Sequence, residues 1–272
     1  MNVHLSSRLP YVALAISAVM VWGPVRAQSP AEYQPEVGQH GKDVVWVPSP
    51  QQLVDKMLDL AKVTPRDFLM DLGSGDGRTV ITAAKRGVRA LGVEYNPDMV
   101  ALSRRNAAKA GVGDKASFVE ADIFQTDLSK ATVITLFLLT DLNLKLRPTI
   151  LTLNPGTRIV SNTFRMGDWE PDQTVELGCD TYCTAYLWIV PARVDGRWRT
   201  PQGELTLKQE FQKVSGTLKT GSVSSYVARA SLSGDQLTFL AGGAEYAGRV
   251  NGSVIEGTIK TASKSEVWKA TR

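Results

Sequence analysis

The sequence predicts a doubly wound α/β domain followed by a small antiparallel all-β domain. Between residues 49 and 162, short apolar runs alternate with segments of helical periodicity, the pattern of a parallel sheet covered by helices on both faces. A glycine-rich loop follows the first apolar run. Beyond Pro191 the helical periodicity ends, and short β-like runs separated by turn residues recur at spacings of about 8–12 residues.

The first 27 residues have the features of an export signal. Arg8 supplies a positive n-region, residues 11–22 form an apolar h-region, and residues 25–27 place small side chains at a cleavage site. An apolar stretch of this length is shorter than the about 20 residues that cross a bilayer. We therefore expect a cleaved signal, no stable membrane span after cleavage, and a periplasmic or secreted protein. A retained N-terminal membrane anchor is the alternative.

Four segments follow from these patterns: a signal peptide (1–27), an extended leader (28–46), an α/β domain (47–191) and a β-barrel or β-sandwich domain (192–272). In the α/β domain, Ser49 is expected to cap a first helix through a capping box with Gln52. Further helices are predicted at 78–86, 98–110 and 143–153, and strands at 68–71, 90–94, 116–120, 131–139 and 157–162. The β-domain is expected to have strands at 204–211, 215–218, 226–231, 237–240, 245–250, 254–259 and 267–270.

The charge distribution disfavours a nucleic-acid substrate. Residues 28–191 contain 17 basic and 20 acidic side chains, whereas residues 192–272 contain 12 and 7. A nucleic-acid enzyme usually presents a basic surface near its site. The excess of basic residues in the last segment is typical of a solvated face.

Cys179 and Cys183 are the two cysteines of the chain. In an oxidising compartment they can form a disulfide if the segment turns. In an extended strand their Cα atoms would lie farther apart than the about 7 Å that a disulfide allows. Both possibilities stay open, and no metal site is predicted, because no histidine lies near the pair.

The loop from Asp71 to Arg78 reads Asp-Leu-Gly-Ser-Gly-Asp-Gly-Arg and lies between a strand and a helix. Glycines at Gly73 and Gly75, on either side of Ser74, let the backbone turn tightly and approach a ligand. A pyrophosphate at this helix N-terminus would be repelled by the carboxylate of Asp71. A ligand with a cationic amino-acid end would be attracted by it.

Two further acids follow the next strands. Glu94 closes the second strand, where a carboxylate can accept hydrogen bonds from both ribose hydroxyls. Asp122 follows the third strand, where it can meet an adenine amino group beside the apolar Ile123. Together these residues describe a ligand with a ribose, an adenine, a positive amino-acid tail and no phosphate. S-adenosylmethionine fits this description, and we predict it as the cofactor.

These motifs resemble the class I S-adenosylmethionine-dependent methyltransferases, and in particular the protein-lysine methyltransferases of the ATP synthase c-subunit and their bacterial relatives. The resemblance covers residues 47–52, 71–78, 92–97, 137–139, 158–161 and 168–169. It implies a Rossmann-like methyltransferase sheet and a cofactor site containing Asp71, Gly73, Gly75, Glu94 and Asp122. Thr140 stands where that family has proline, and the export signal and the β-domain are additions.

The same resemblance places residues 137–143, after the fourth strand, beside the transferred methyl group. We expect Leu139, Thr140 and Asn143 to face the acceptor. From its position, Asp141 or a backbone carbonyl is the candidate that holds the acceptor amine. Trp46 and Trp169 are candidate walls of the acceptor channel. The alternatives are that Asp141 and Asn143 cap a helix and that both tryptophans pack in the core.

The residues also restrict the chemistry. The only histidine after residue 27 is His40, in the leader, which disfavours a histidine-dependent O-methyl transfer. The Leu138-Leu-Thr-Asp141 segment has no Asn/Asp-Pro-Pro-aromatic motif for base methylation, and neither cysteine is placed for cytosine C5 chemistry. N-methylation of a protein lysine or an amine is the expected reaction. A small-molecule methyltransferase and a non-catalytic module that binds an adenosine ligand or a protein in the cell envelope are the alternatives, and no oligomeric state is predicted.

Overall fold

A computed structural model describes residue 1 and residues 32–179 and 181–272. The predicted export signal, apart from Met1, lies outside these residues. Within them, no helix is both long enough and apolar enough to span a membrane.

The first part of the chain forms a seven-stranded sheet with helices on both faces. Its strands are β1 (Phe68–Leu72), β2 (Arg89–Glu94), β3 (Ala116–Glu120), β4 (Val133–Leu136), β5 (Arg158–Asn162), β6 (Gln173–Glu176) and β7 (Thr184–Ile189), and its helices are α1 (Gln51–Leu60), α2 (Arg78–Lys85), α3 (Pro97–Lys109) and α4 (Thr140–Ile150). The strand order is β3-β2-β1-β4-β5-β7-β6. Strands β1 to β5 are parallel, and β7 is antiparallel to both of its neighbours.

Two apolar clusters cover the two faces of this sheet. One combines buried residues of α1 and α2, such as Leu58 and Val80, with Leu69 and Val133 of the sheet. The other combines Leu146 and Ile150 of α4 with residues of β1, β4, β5 and β7. Burial on both faces explains why these strands read as continuous apolar runs in the sequence. The doubly wound α/β prediction is therefore confirmed.

Several local predictions were wrong. The fourth strand ends at Leu136 and not at residue 139, and α4 begins at Thr140, because the chain leaves the sheet at its carboxyl edge. The capping box at Ser49 does not form: Pro50 is the N-cap of α1, without a side-chain cap. The Ser49 hydroxyl instead accepts a hydrogen bond from the Asn162 amide at 3.0 Å. Strands β6 and β7 were also missed. Strand β6 has four largely exposed residues without an apolar run, whereas β7 is an apolar run that was not assigned to a strand.

The last part of the chain forms a nine-stranded antiparallel sheet. Its strands are β8 (Gly196–Thr200), β9 (Gly203–Glu210), β10 (Lys213–Thr220), β11 (Val223–Tyr226), β12 (Ala228–Ser233), β13 (Gln236–Ala241), β14 (Ala244–Asn251), β15 (Val254–Lys260) and β16 (Ser265–Thr271). The order is β11-β10-β9-β8-β16-β15-β14-β13-β12. The edge strands β11 and β12 are consecutive in the chain, and the Val227 amide between them donates to Gly216 of β10 at 2.9 Å. The sheet thus curls into a nearly closed barrel, which confirms the small all-β prediction.

Aromatic side chains fill the interior of this barrel. The rings of Phe239 and Tyr246 stack at 4.7 Å between centroids, and Trp268 meets both of them edge-on. Trp198 and Trp268 are fully buried. Large buried rings of this kind supply much of the apolar area that stabilises a small β-domain.

The two sheets are joined through Trp169 and the β9–β10 turn. Phe211 stacks on the Trp169 ring at 5.7 Å, and the Gln212 side chain accepts a hydrogen bond from the Trp169 indole at 2.9 Å. The Gln212 amide also donates to the Glu170 carbonyl at 2.7 Å. The barrel thus covers the segment that follows β5.

Candidate functional site

The glycine loop forms the floor of a cavity at the carboxyl edge of the first sheet. It connects β1 to α2, and the amides of Gly73 and Ser74 both donate to the Val93 carbonyl of β2, at 2.8 and 3.1 Å. Gly75 has a φ of +53°, and a Cβ there would lie 2.7 Å from the Trp46 indole nitrogen. A side chain at Gly75 is therefore excluded both by backbone conformation and by space.

Glu94 lies beside this loop at the end of β2. Its carboxylate accepts one hydrogen bond from the Gly75 amide at 2.9 Å and another from the Asn96 amide at 3.0 Å. The side chain is half-buried and lines the cavity. Each carboxylate oxygen retains a free lone pair for a second donor, so Glu94 can accept hydrogen bonds from a ligand while it holds the loop.

Asp122 lies one strand farther along the same edge. The Ala121 amide donates to the Glu94 carbonyl at 2.9 Å, which brings the two acids together. Asp122 accepts from the Phe124 amide at 2.9 Å and pairs with the Lys42 ammonium at 2.7 Å. The hydrogen bond from Lys42 holds the pKa of the Asp122 carboxyl below its usual range. Ile123 lines the cavity beside it.

Asp71 is the buried acid of the site. Its carboxyl accepts a hydrogen bond from the Thr135 hydroxyl of β4 at 2.6 Å. Burial raises the pKa of Asp71 to about 7; the neighbouring carboxylates of Glu94 and Asp76 also raise it, while hydrogen bonds from Thr135 and Thr79 oppose them. A cation placed beside Asp71 would stabilise its ionised form.

The leader contributes a wall of the cavity by folding in a way that the sequence did not predict. Residues 38–46, here called the N-terminal hairpin, fold back on themselves through hydrogen bonds between Gly38 and Trp46 at 2.8 Å and between Trp46 and Gln39 at 2.9 Å. This part of the leader is therefore a hairpin and not extended. It places Lys42 and Trp46 at the cavity, with the Lys42 ammonium 4.5 Å from the centre of the Tyr95 ring.

The cavity enclosed by these elements has a volume of about 130 Å³. It brings together the residues predicted to bind the cofactor, namely Asp71, Gly73, Ser74, Gly75, Glu94, Asp122 and Ile123. The buried Ser74 hydroxyl has no hydrogen-bond partner among the described residues. A buried hydroxyl without a partner is costly, and a polar ligand in this cavity would satisfy it. The donor and acceptor set thus fits the amino-acid end, the ribose and the adenine of S-adenosylmethionine.

Only some of the residues after β4 that were predicted to lie beside the methyl group line the cavity. Leu138 lines the cavity together with Phe137, while Leu139 is 47% exposed next to it. Thr140 is half-buried in the first turn of α4, and Asp141 beside it is exposed. The N-cap of α4 is Leu139 without a side-chain cap, so the capping alternative for Asp141 and Asn143 does not apply.

Asn143 and Trp169 are fully buried and do not line the cavity. The Asn143 amide donates to the Phe164 carbonyl at 3.2 Å, so it anchors the segment after β5. Trp169 packs between Trp188 and Phe211, in agreement with the alternative that this tryptophan packs in the core. Of the two candidate tryptophan walls, the structure brings only Trp46 to the site.

Cys179 and Cys183 are joined by a disulfide, with their Cα atoms 5.9 Å apart. The bridge is possible because the chain turns between β6 and β7, so the extended alternative does not apply. No group of three or more histidine, cysteine or acidic side chains able to hold a metal occurs in the part of the chain that the structure describes.

Comparisons with known proteins identify the family. The model of the ANTKMT methyltransferase domain matches residues 71–173. A protein-lysine N-methyltransferase of Saccharolobus islandicus (strain REY15A) is 41% identical over 151 residues, which cover 54% of this chain and 94% of that protein. The lysine N-methyltransferase of the ATP synthase c-subunit from Mus musculus is 34% identical over 182 residues, covering 65% of this chain and 70% of that protein.

A solved structure supports the same assignment. The RNA methyltransferase from Salinibacter ruber in complex with S-adenosyl-L-homocysteine is 49% identical, with a TM-score of 0.52, and the match covers 54% of this chain and 96% of that one. The matched part of the chain contains the glycine loop and the strand-end acids described above. The chain therefore belongs to the family of these protein-lysine N-methyltransferases, carries the ANTKMT methyltransferase domain at residues 71–173, and is a methyltransferase whose cofactor is S-adenosylmethionine.

Proposed function

We propose that this chain methylates the ε-amine of a lysine in a protein acceptor. The observation that carries the proposal is the relative that is itself named a protein-lysine N-methyltransferase and is matched over 94% of its length. The site supports it, because neither a histidine nor a cysteine lines the cavity among the described residues. An amine needs no such base once it has lost its proton, whereas a hydroxyl acceptor does.

In the proposed reaction, the cofactor supplies a methyl group on a positively charged sulfur. Asp71 holds the cationic amino-acid end, Glu94 accepts hydrogen bonds from the ribose, and Asp122 accepts one from the adenine amine. The lysine loses its proton to solvent or to Asp141, and its nitrogen lone pair forms the new bond to the methyl carbon. The carbon–sulfur bond breaks and sulfur keeps the electron pair. The protein contributes mainly alignment and exclusion of water.

RNA is the competing acceptor, because the solved relative from Salinibacter ruber is named an RNA methyltransferase. The charge balance of residues 28–191, with 17 basic and 20 acidic side chains, supports a protein acceptor instead. Binding to a polyanion would call for a basic surface around the cavity.

The test uses the full chain and S-adenosylmethionine with a radioactive methyl group, incubated with separate protein and RNA fractions of the source cells. We expect label in N-methyl-lysine after acid hydrolysis of the protein fraction, and no label with the Glu94→Ala variant. Label in nucleosides of the RNA fraction would contradict the lysine proposal. Cofactor binding without transfer to either fraction would favour the non-catalytic binding module.

The role of Asp141 has its own test. This carboxylate is exposed in the first turn of α4, next to the cavity residues after β4. If it holds the acceptor amine, Asp141→Asn lowers kcat about tenfold or more and leaves cofactor affinity unchanged. Asp127, another exposed acid that does not line the cavity, provides a matched Asp127→Asn control. Equal turnover of the wild type and Asp141→Asn would remove Asp141 from the mechanism.

We also propose that the protein acts in an oxidising compartment outside the cytoplasm. The signal-like segment at residues 1–27 supports export. The Cys179–Cys183 disulfide supports it independently, since such bridges persist mainly in oxidising compartments. Acceptors are then proteins of the cell envelope or of the surrounding medium.

A further inference from the structure

Three aromatic rings cluster beside the cofactor cavity. The rings of Phe137 and Tyr182 meet edge-on at 5.2 Å between centroids, and Phe164 lies 6.0 Å from Phe137 and 6.4 Å from Tyr182. Phe137 also lines the cavity itself. The aromatic cluster (Phe137, Phe164 and Tyr182) is therefore continuous with the cofactor cavity through Phe137.

The sheet topology explains how three distant segments meet. Phe137 follows β4 and Phe164 follows β5, both at the carboxyl edge of parallel strands. Because β7 is antiparallel to β5, its first residues lie at that same edge, with Ala185 opposite Asn162. Tyr182 immediately precedes β7, so the β6–β7 turn brings it to the cluster. No local pattern predicted this meeting, since neither β6 nor β7 was expected.

Tyr182 is fixed in an unusual conformation. Its φ is +55°, in the left-handed region that non-glycine residues rarely adopt. The Cys179–Cys183 disulfide closes this turn, and the Leu177 amide donates to the Cys183 carbonyl at 2.8 Å. Thr163, which precedes Phe164, also has a positive φ of +61°. Strained backbone of this kind persists where the surrounding structure enforces it, often at functional sites.

Despite this bracing, Tyr182 remains 38% exposed. A large aromatic side chain that packs against other rings and is yet open to solvent has the properties of a ligand contact. The cluster contains no charged side chain, and its faces suit an apolar stem that carries a cationic or freshly deprotonated amine. Desolvation by such rings lowers the pKa of an amine, which favours the neutral nucleophile.

Resting on the lysine methylation proposed above, we propose that the aromatic cluster is the entrance channel for the acceptor lysine. Tyr182 forms the outer wall of this channel, and the Cys179–Cys183 disulfide keeps Tyr182 in place by closing the β6–β7 turn. Oxidised protein thus accepts the lysine side chain, and opening of the bridge weakens acceptor binding without weakening cofactor binding.

The test compares two probes. One is S-adenosylhomocysteine. The other is its analogue in which nitrogen replaces sulfur and carries a two-carbon linker to a butylamine nitrogen, so that this amine lies near the position of the attacking lysine nitrogen and the butyl chain mimics the lysine stem. We expect the wild type to bind the analogue at least tenfold more tightly than S-adenosylhomocysteine. Tyr182→Ala should bind the analogue about tenfold more weakly than the wild type does, whereas Tyr182→Phe should bind it as tightly as the wild type. S-adenosylhomocysteine should bind all variants equally.

The disulfide is tested with the double variant Cys179→Ser/Cys183→Ser, which should bind the analogue as weakly as Tyr182→Ala does. Tyr226→Ala, which removes an exposed tyrosine from the barrel, is the matched control and should behave as the wild type. The channel would be overturned, with the cofactor site intact, if Tyr182→Ala kept the full preference for the analogue over S-adenosylhomocysteine. It would also be overturned if the wild type showed no such preference. Failure of the wild type to bind S-adenosylhomocysteine would overturn the proposed function and the channel with it.

Discussion

Replacing Glu94 with alanine is expected to weaken S-adenosylhomocysteine binding by at least a hundredfold. The variant loses both hydrogen bonds that the carboxylate can accept from the ribose, and each bond to a charged group contributes about 1.5–3 kcal/mol. It also frees the Gly75 and Asn96 amides that Glu94 now holds at 2.9 and 3.0 Å. Isothermal titration calorimetry of the purified variants measures this loss directly.

Glu120→Ala is the matched control for this prediction. Glu120 lies opposite Glu94 in the register of β2 and β3, is exposed, and does not line the cavity. Its removal should leave the affinity unchanged, and Glu94→Gln, which keeps the size and one acceptor oxygen, should fall between the two. If Glu94→Ala and Glu120→Ala bind equally well, the ribose contact is not made by Glu94.

The affinity for S-adenosylhomocysteine is expected to fall about tenfold between pH 8 and pH 6. Burial raises the pKa of Asp71 to about 7, so the free protein carries a protonated Asp71 at pH 6. Binding of a ligand ammonium requires the carboxylate, and the proton must then be released. With Asp71→Asn the affinity should be low and nearly independent of pH over this range, as titrations at both pH values will show.

Asp71→Asn, which lowers the affinity for the ligand, should increase the stability of the fold at high pH. A raised pKa means that the folded protein holds the proton of Asp71 more tightly than the unfolded chain does, so this contribution to stability is present at low pH and lost as the pH rises through about 7. Asp71→Asn cannot ionise and should therefore unfold at a higher urea concentration than the wild type at pH 8, with the difference vanishing near pH 4. Asp114→Asn, at an exposed site, should change neither property, and a destabilised Asp71→Asn at pH 8 would contradict this account.

The part of the site that comes from local sequence was predictable. Asp71, Glu94 and Asp122 each lie at or just after the end of a strand of the parallel sheet, and parallel strands bring their carboxyl ends to one edge. Strand periodicity and the position of an acid at the end of each run are local properties, so one sequence is enough to reveal them. The glycine loop between β1 and α2 was evident for the same reason.

The residues that close the site depend on long-range contacts. The N-terminal hairpin has few apolar residues and no helical or strand period, yet Trp46 reaches Gly75 and Lys42 pairs with Asp122, 80 residues away. The β6–β7 turn brings Tyr182 to the aromatic cluster beside the cavity only because β7 inserts antiparallel beside β5. Neither pairing is encoded in a local pattern, so neither could be predicted from one sequence.

Burial also decided roles that position alone could not. Asn143 lies three residues after Thr140, where a substrate contact was expected, but the helix turns it inward to the Phe164 carbonyl. Trp169 lies in a segment resembling the family, but the barrel covers it with Phe211. The contact that buries Trp169 comes from a domain whose docking the sequence did not reveal.

A crystal structure of the protein with S-adenosylhomocysteine tests the cofactor site directly. The ligand is expected in the cavity at the carboxyl edge of β1–β3, with Glu94 accepting from the ribose hydroxyls, Asp122 beside the adenine amine, and the ammonium group near Asp71 and Ser74. The sulfur should point toward Phe137 and the aromatic cluster. A ligand bound outside this cavity, or bound with its adenine near Asp71, would contradict the roles assigned to Asp71, Glu94 and Asp122.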